Sequence, residues 1–475
     1  MERHPRSPEE ADKLLLLADL LRDAALTVKD EWAREDFSAP AVQDTARILP
    51  SPRLWEATRT IESISGALVE LVCEPDQRVQ QVLLQFFESR ALFIAAERQI
   101  PDLLAQAAGP APGLDIDAIA AKTGIHAGKL SRIMRTLCAT HVFQEIDHDR
   151  FANNRVSQAL VRNEGLLAYI QLSNLHIYRA AEYLPKYLLG PKGASLDVSE
   201  TALQDALGID VSLWEWMAQK VPVDRIQCDG PGYPGVPDIS NGALTPDEEG
   251  LVFRPELSKF ALAMAGGGKA SGAAHAFDYP WGDLASGLVV DVGGGVGGFV
   301  LQLLPAYPQL KFVVQDRLEN VKQGEEEIFP REAPDAIPSG RVRFMAHDFF
   351  QENPVKGADV YWLRGILHDW SDEYCVQILK GLKAAMSPSS KILICDPVMN
   401  TTLGCPEIAP APYPLPANYG YHYRYCYSRD LALMSTINGM ERTPAHFKEL
   451  VEKAGLQLKK FWPVRSMVGI TEIGL

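Results

Sequence analysis

The chain has 475 residues, of which 47% are hydrophobic and 23% charged, with a formal net charge of -15. That length exceeds one ordinary domain and supplies apolar residues for two or three sizeable cores, while the acidic balance excludes phosphate-backbone binding as a main role, since that needs concentrated Lys and Arg. Apolar runs stop well short of the roughly 20 residues that span a bilayer, no basic-then-apolar leader is present, and seven scattered cysteines without a CxxC pair point to a reducing, cytoplasmic setting and away from zinc.

From Pro8 to about Pro101 apolar residues recur at helical spacing, as in ADKLLLLADLLRDAAL and VQQVLLQFFESRALFIAAE, with a Pro-containing link at ARILPSPRLW. Residues 1–75 are expected to form a helical extension. LDIDAIAAKTGIHAGKLSRIMRTLCATHVFQEIDHDRFANN then reads as two short amphipathic helices around a Thr-Gly turn, followed by a strand pair turning at Asp147 to Asp149, a winged helix-turn-helix pattern. LSRIMRTL would be the recognition helix of a DNA binder, but the scarcity of basic residues favours a packing or dimerisation role for 76–220. Residues 221–252 are rich in Pro and Gly and read as an insertion. From about 253 to 475, strands and helices alternate: LVVDV, a helix from Val296, KFVVQD, another helix, VRFMAHD, ADVYWLR, a helix, KILICDP and late strands near Leu456 and Met467. Such alternation predicts a parallel, doubly wound α/β sheet. The Pro- and Tyr-rich stretch from Asn400 to Ser428 interrupts it and is expected to be a binding loop.

The glycine loop DVGGGVGG follows the first buried strand, where glycines let the backbone approach a ligand closely. Gly293, Gly295 and Gly298 satisfy the GxGxxG dinucleotide pattern, with Asp316 placed to bond a ribose, which would imply hydride transfer. Asp291, Gly293, Gly295 and Gly297 equally satisfy the DxGxGxG pattern of S-adenosylmethionine sites. The loop alone leaves both open. MAHDFF sets Asp348 and Phe349 at the end of the third strand, where an adenine would lie.

DVGGGVGG, QD at Asp316, HDFF, LRGILHDWSDEYCVQILKGL, ICDPV and NGMERTPAHFKELVEKAGL follow in the order and approximate spacing of the class I S-adenosylmethionine-dependent O-methyltransferases of the plant caffeate type and their fungal relatives. The resemblance covers Phe253 to the end, and the winged-helix region is similar to that family's dimerisation domain. It implies an α/β fold with a C-terminal doubly wound, Rossmann-like methyltransferase domain and an N-terminal α-helical winged-helix dimerisation domain, bound S-adenosyl-L-methionine, a homodimer and no metal. Carried onto this sequence, cofactor contacts fall on Gly293, Asp316, Asp348, Phe349 and Arg364, where the plant enzymes commonly have Lys. The catalytic histidine falls on His368, with carboxylate partners at Glu441 and at Asp396, where the plant enzymes have Glu; the shorter side chain puts its reach to His368 in question.

A sulfonium carries an activated methyl group, so the protein must align an acceptor and take its proton; a phenol of pKa about 10 needs a base, and histidine titrates nearest the useful range. The sequence therefore points to O-methylation of an aromatic or polyketide-like hydroxyl. The alternative is a relative that keeps the cofactor as a fixed cation and catalyses dehydration or a pericyclic ring closure, with His368 or Arg364 polarising a carbonyl. A non-enzymatic regulator built on the winged helix would need a basic face, which the sequence does not offer.

Overall fold

The computed structural model describes residues 5–34, 49–107, 112–223, 246–270 and 272–475, so most of the expected insertion (224–245) lies outside the described residues. The chain divides into two compact units: Met1–Cys73, Ala194–Thr201 and Ser271–Leu475 form one, and Glu74–Gly193 with Ala202–Ala270 the other. Among the described residues no helix is long and apolar enough to cross a membrane.

The first unit begins with α1 (Pro8–Trp32) and α2 (Pro52–Val72). Each starts at a serine with proline just inside: Ser7 Oγ accepts the Glu10 N–H while the Glu10 carboxylate accepts the Ser7 N–H, and Ser51 Oγ accepts from Leu54. These contacts satisfy donors that a helix start leaves orphaned. Leu17, Ile64 and Leu71 on the facing sides of the helices form one core with Ala411, Leu415 and Tyr419. The expected separate extension over 1–75 is therefore part of the sheet-bearing unit, because its apolar stripe is buried against the segment after Asn400.

The second unit holds α3 (Pro75–Leu84), α4 (Phe86–Glu97), α5 (Ile100–Ala105), β1 (Leu114–Asp115), α6 (Ile116–Thr123), α7 (Ala127–Ala139), β2 (Phe143–Asp147) and β3 (Arg150–Asn153). The helix pair and hairpin come in the order expected: α6 ends at Gly124 with φ 72°, and the strands form a sheet ordered β1-β3-β2. Ile119, Leu130, Met134, Phe143 and Phe151 fill its core. Further on, α8 (Glu164–Leu172) lies against α9 (Pro255–Ala270) so closely that a Cβ at Gly266 would sit 2.3 Å from the Gly165 carbonyl carbon. That contact ties 255–270 to the second unit, so the sheet-bearing part starts after residue 270 rather than at 253.

The sheet runs through β4 (Leu288–Val292), β5 (Lys311–Asp316), β6 (Val342–Ala346), β7 (Val360–Arg364), β8 (Lys391–Asp396), β9 (Gln457–Pro463) and β10 (Gly469–Gly474), in spatial order β9-β10-β8-β7-β4-β5-β6. The strands from β4 to β8 are parallel, whereas β10 is antiparallel to both β8 and β9. The expected parallel sheet is thus mixed at one edge: β9 and β10 are joined by a turn without a helical crossover, which only an antiparallel pairing permits. Alternate residues fill two cores, with Val289, Phe312, Trp362 and Leu393 on one face and Val290, Val313, Tyr361 and Ile392 on the other. Strand order reverses between β4 and β7, the position where α/β sheets open a crevice at their carboxyl ends.

Candidate active site

The glycine loop leaves β4 at that crevice and leads into α10 (Gly298–Leu303). Gly293, Gly295 and Gly297 have φ of 69°, 59° and 86°, conformations that side-chained residues rarely adopt. A Cβ on Gly293 would lie 2.4 Å from Ile366 Cδ1 and 3.7 Å from Phe349 Cε1, and one on Gly294 would lie 2.4 Å from the Asp291 carboxylate. On the other side the loop is open, since a Cβ at Gly295 or Gly298 would meet nothing within 4 Å. Asp316 anchors the loop: its Oδ2 accepts the Gly295 N–H (2.8 Å), and its Oδ1 accepts from the Arg317 N–H and the Asn320 amide (both 2.7 Å).

Asp291 is 2% exposed, and its Oδ2 has no hydrogen-bond partner. Burial pushes its carboxyl up, the Asp316 charge adds to this, and Arg364 opposes both, leaving it at about 7. Asp348 is exposed and its Oδ1 accepts the Phe350 N–H at 3.0 Å, while Phe349 packs edge-on against Phe350 and Trp370 at 4.8 and 6.2 Å. An orphaned buried carboxylate oxygen, an open glycine face and a phenylalanine beside them fit a cofactor that brings a cationic group and a flat ring.

The base lies on the next turn. Gly365, with φ 64°, bends the chain out of β7, and its N–H donates to Asp396 Oδ1 at 2.9 Å. Leu367–Asp369 then wind one 3-10 turn that carries His368, which is 6% exposed. Its Nδ1 lies 3.1 Å from Glu441 Oε1, and its Nε2 lies 3.4 Å from Asp369 Oδ1. Glu441 is thus where the resemblance implies. Asp396 is not: among the described residues its hydrogen bond goes to the Gly365 backbone, and Oδ2 has no partner. Asp396 acts on the ring through charge. Burial drives His368 toward the neutral form, but the carboxylates of Asp369, Glu441 and Asp396 outweigh it and raise its pKa to about 9, with Arg429 pulling downward.

The NGMERT segment shows why its residue types are needed. A Cβ on Gly439 would lie 2.4 Å from the His368 carbonyl oxygen, so only glycine lets the strands of chain meet. The Met440 N–H donates to that same oxygen at 2.8 Å. Arg442, 1% exposed, donates to the carbonyls of Leu367 (2.7 Å) and Trp370 (2.8 Å) and pairs with Asp372 Oδ1 at 2.9 Å. It clamps both ends of the His368 turn ahead of α11 (Asp372–Lys383).

Three residues of the site escaped the sequence reading. Asp369 was visible in HDW only as a neighbour, and Arg442 only as part of a motif. Arg429 comes from α12 (Arg424–Ile437), where nothing in the Tyr-rich stretch marks it. Its guanidinium Nη2 lies 3.0 Å from His368 Nδ1 and 3.4 Å from Nε2, and its Nε lies 3.4 Å from Glu441 Oε1. The expected binding loop itself is largely committed: Tyr419 bonds Glu56 and stacks under the Arg59 guanidinium (4.0 Å), His422 Nδ1 meets Glu62 at 2.5 Å, and Tyr427 bonds the Asn400 carbonyl.

Comparison with known proteins agrees with this geometry. A family model described as an O-methyltransferase domain matches residues 283–457, and one described as an O-methyltransferase dimerisation domain matches residues 80–163. The O-methyltransferase cicE of Emericella nidulans is 59% identical, with the alignment covering 100% of this chain and 92% of that protein. Among solved structures, CalO1, a methyltransferase in calicheamicin biosynthesis in its SAH-bound form, is 25% identical with a TM-score of 0.60, covering 84% of this chain and 97% of the other. LepI in complex with SAM shares the fold at 19% identity and a TM-score of 0.64, over 96% of this chain and 99% of that one. The loop, the strand order and these likenesses lead to one conclusion: the chain belongs to the O-methyltransferase family, with S-adenosylmethionine as its cofactor.

Proposed function

We propose that this enzyme methylates a hydroxyl of a small aromatic or polyketide-like metabolite, with His368 as general base and Glu441 fixing its ring. The observation that carries the reading is the buried His368–Glu441 pair, 3.1 Å apart, at the carboxyl ends of the strands. When bound, S-adenosylmethionine supplies a methyl group already activated on a cationic sulfur, held by Asp291, the glycine loop from Gly293 to Gly297, Asp316, Asp348, Phe349 and Arg364. What is left to the protein is to orient the acceptor and remove its proton. With Nδ1–H donated to Glu441, His368 presents the Nε2 lone pair. That nitrogen takes the acceptor's proton and so leaves the acceptor oxygen its electron pair as nucleophile toward the methyl group the cofactor would supply. Glu441 then stabilises the imidazolium, and its own position is set by the Asp430 carboxylate, which accepts the Glu441 N–H at 2.7 Å.

The protein is also proposed to work as a homodimer. Val79, Leu83, Phe86 and Phe87 on α3 and α4 are 70%, 70%, 55% and 55% exposed in the single chain, an apolar row of the kind that marks an interface. The matched dimerisation domain begins within that row.

The test is incubation with isotope-labelled S-adenosylmethionine and phenolic metabolites, read by product mass. Transfer of one labelled methyl group is expected, and His368→Ala should lose on the order of 100-fold or more in rate while still binding the cofactor in calorimetry. An isomerised or dehydrated product without the label would overturn methylation in favour of the ring-forming alternative.

A further inference from the structure

The environment of His368 poses a problem for any base. Asp369 from its own turn, Asp396 from the end of β8 and Glu441 from the segment before α13 (Pro444–Lys453) all face the ring, and each favours the charged imidazolium. An imidazolium has no lone pair and accepts no proton. Arg429, from α12, is the one cation acting on the ring among the groups that face it.

Its contacts place that charge. Glu441 Oε1 lies 3.1 Å from Nδ1, whereas Arg429 Nη2 is 3.0 Å from Nδ1 and 3.4 Å from Nε2 at once, which sets the guanidinium over the ring face and not on either nitrogen's lone pair. Nδ1 can therefore donate its proton to Glu441 with the guanidinium in place, while the cation over the ring opposes a second proton on it by charge. The second guanidinium edge lies 3.4 Å from the same Glu441 oxygen, so Arg429 also offsets the charge that would hold the imidazolium.

We propose that Arg429 is a positioning residue for the base: held over the imidazole and against Glu441, its guanidinium keeps His368 neutral enough to accept a proton. The inference rests on the reading of His368 as base, but its test does not need the acceptor. With ring-labelled histidine, the His368 resonances, assigned by their loss in His368→Asn, are followed against pH in the wild type, Arg429→Gln and Arg429→Lys saturated with S-adenosylhomocysteine. The glutamine variant should bind the ring proton about tenfold more tightly or more, a shift of about one pH unit upward, whereas lysine, which keeps the charge, should stay within about threefold of the wild type. An unchanged titration in Arg429→Gln overturns the proposal, as does a lysine variant that shifts as far as glutamine. Methyl transfer from the labelled cofactor, measured in parallel on the wild type, separates the two ideas: its absence beside a shifted titration defeats the functional reading and leaves the role of Arg429 standing.

Discussion

Asp291 shows how one buried side chain links stability to pH. Its native carboxyl stays protonated up to about 7 because of burial and the nearby Asp316, whereas in the unfolded chain it ionises near 4. Between those values the folded state binds more protons than the unfolded one, so this residue lowers stability as pH rises from about 4 to about 7. Asp291→Asn keeps the shape and removes the titration. The melting temperature of the variant relative to the wild type should therefore climb between pH 5 and pH 8 in cofactor-free protein; a constant difference would show that Asp291 does not titrate there. At this scale the sequence was informative where chemistry is local. Gly293, Asp316, His368 and Glu441 stand in motifs whose spacing fixes where they go. Arg429 and the backbone bond of Asp396 depend on how far α12 and β8 lie from the ring, and a one-dimensional string does not encode those distances.

Among the elements, the 3-10 turn bearing His368 is poorly able to hold itself, having a single turn and glycine before it. Arg442 supplies what it lacks. Arg442→Met would leave the Leu367 and Trp370 carbonyls only long or weak donors, chiefly the Cys375 thiol, and Asp372 only Lys453 at 3.7 Å, a loss of about 2 kcal/mol; urea unfolding that shows less than about 1 kcal/mol would mean that the clamp is dispensable. The hairpin of α1 and α2 makes a second case. A side chain at Gly66 would run into Tyr421, whose Cβ lies 2.3 Å from the nearest possible Cβ position, so Gly66→Val should pry the 400–428 segment from α2. Chymotrypsin should then cut after Tyr419, whose side chain is buried in the native packing, while the sheet remains intact by circular dichroism. The helices themselves were legible from periodicity and their serine caps. Their partner was not, because the Pro- and Tyr-rich stretch has no apolar period to match and its packing residues are single positions, Ala411, Leu415 and Tyr419, spaced by irregular backbone.

For the whole molecule, the alternation of strands and helices was enough to foresee a doubly wound sheet, and the antiparallel edge was missed because late strands carry no mark of direction. The grouping of the chain into units was harder to foresee, since it follows contacts between segments far apart in sequence. The association state is open to direct measurement. The wild type should sediment at twice the 52.3 kDa chain mass, and Leu83→Asp with Phe87→Asp should sediment at the chain mass, since charges replace the most exposed apolar row; an unchanged dimer would move the interface elsewhere.

The joining of α1 and α2 to the segment after Asn400 also sets a timetable for synthesis. Leu71 leaves the ribosome about 340 residues before Ala411, and at about 5–20 residues per second the helical hairpin waits some tens of seconds for the surface that covers it. Throughout that interval Leu17, Ile64 and Leu71 have no native partner from the later chain, while the second unit, whose residues are complete by Ala270, can fold in the meantime. A nascent chain of this protein is therefore a natural client for chaperones that shield apolar helices, and production in a host poor in them should yield aggregates rich in chains stalled before residue 411.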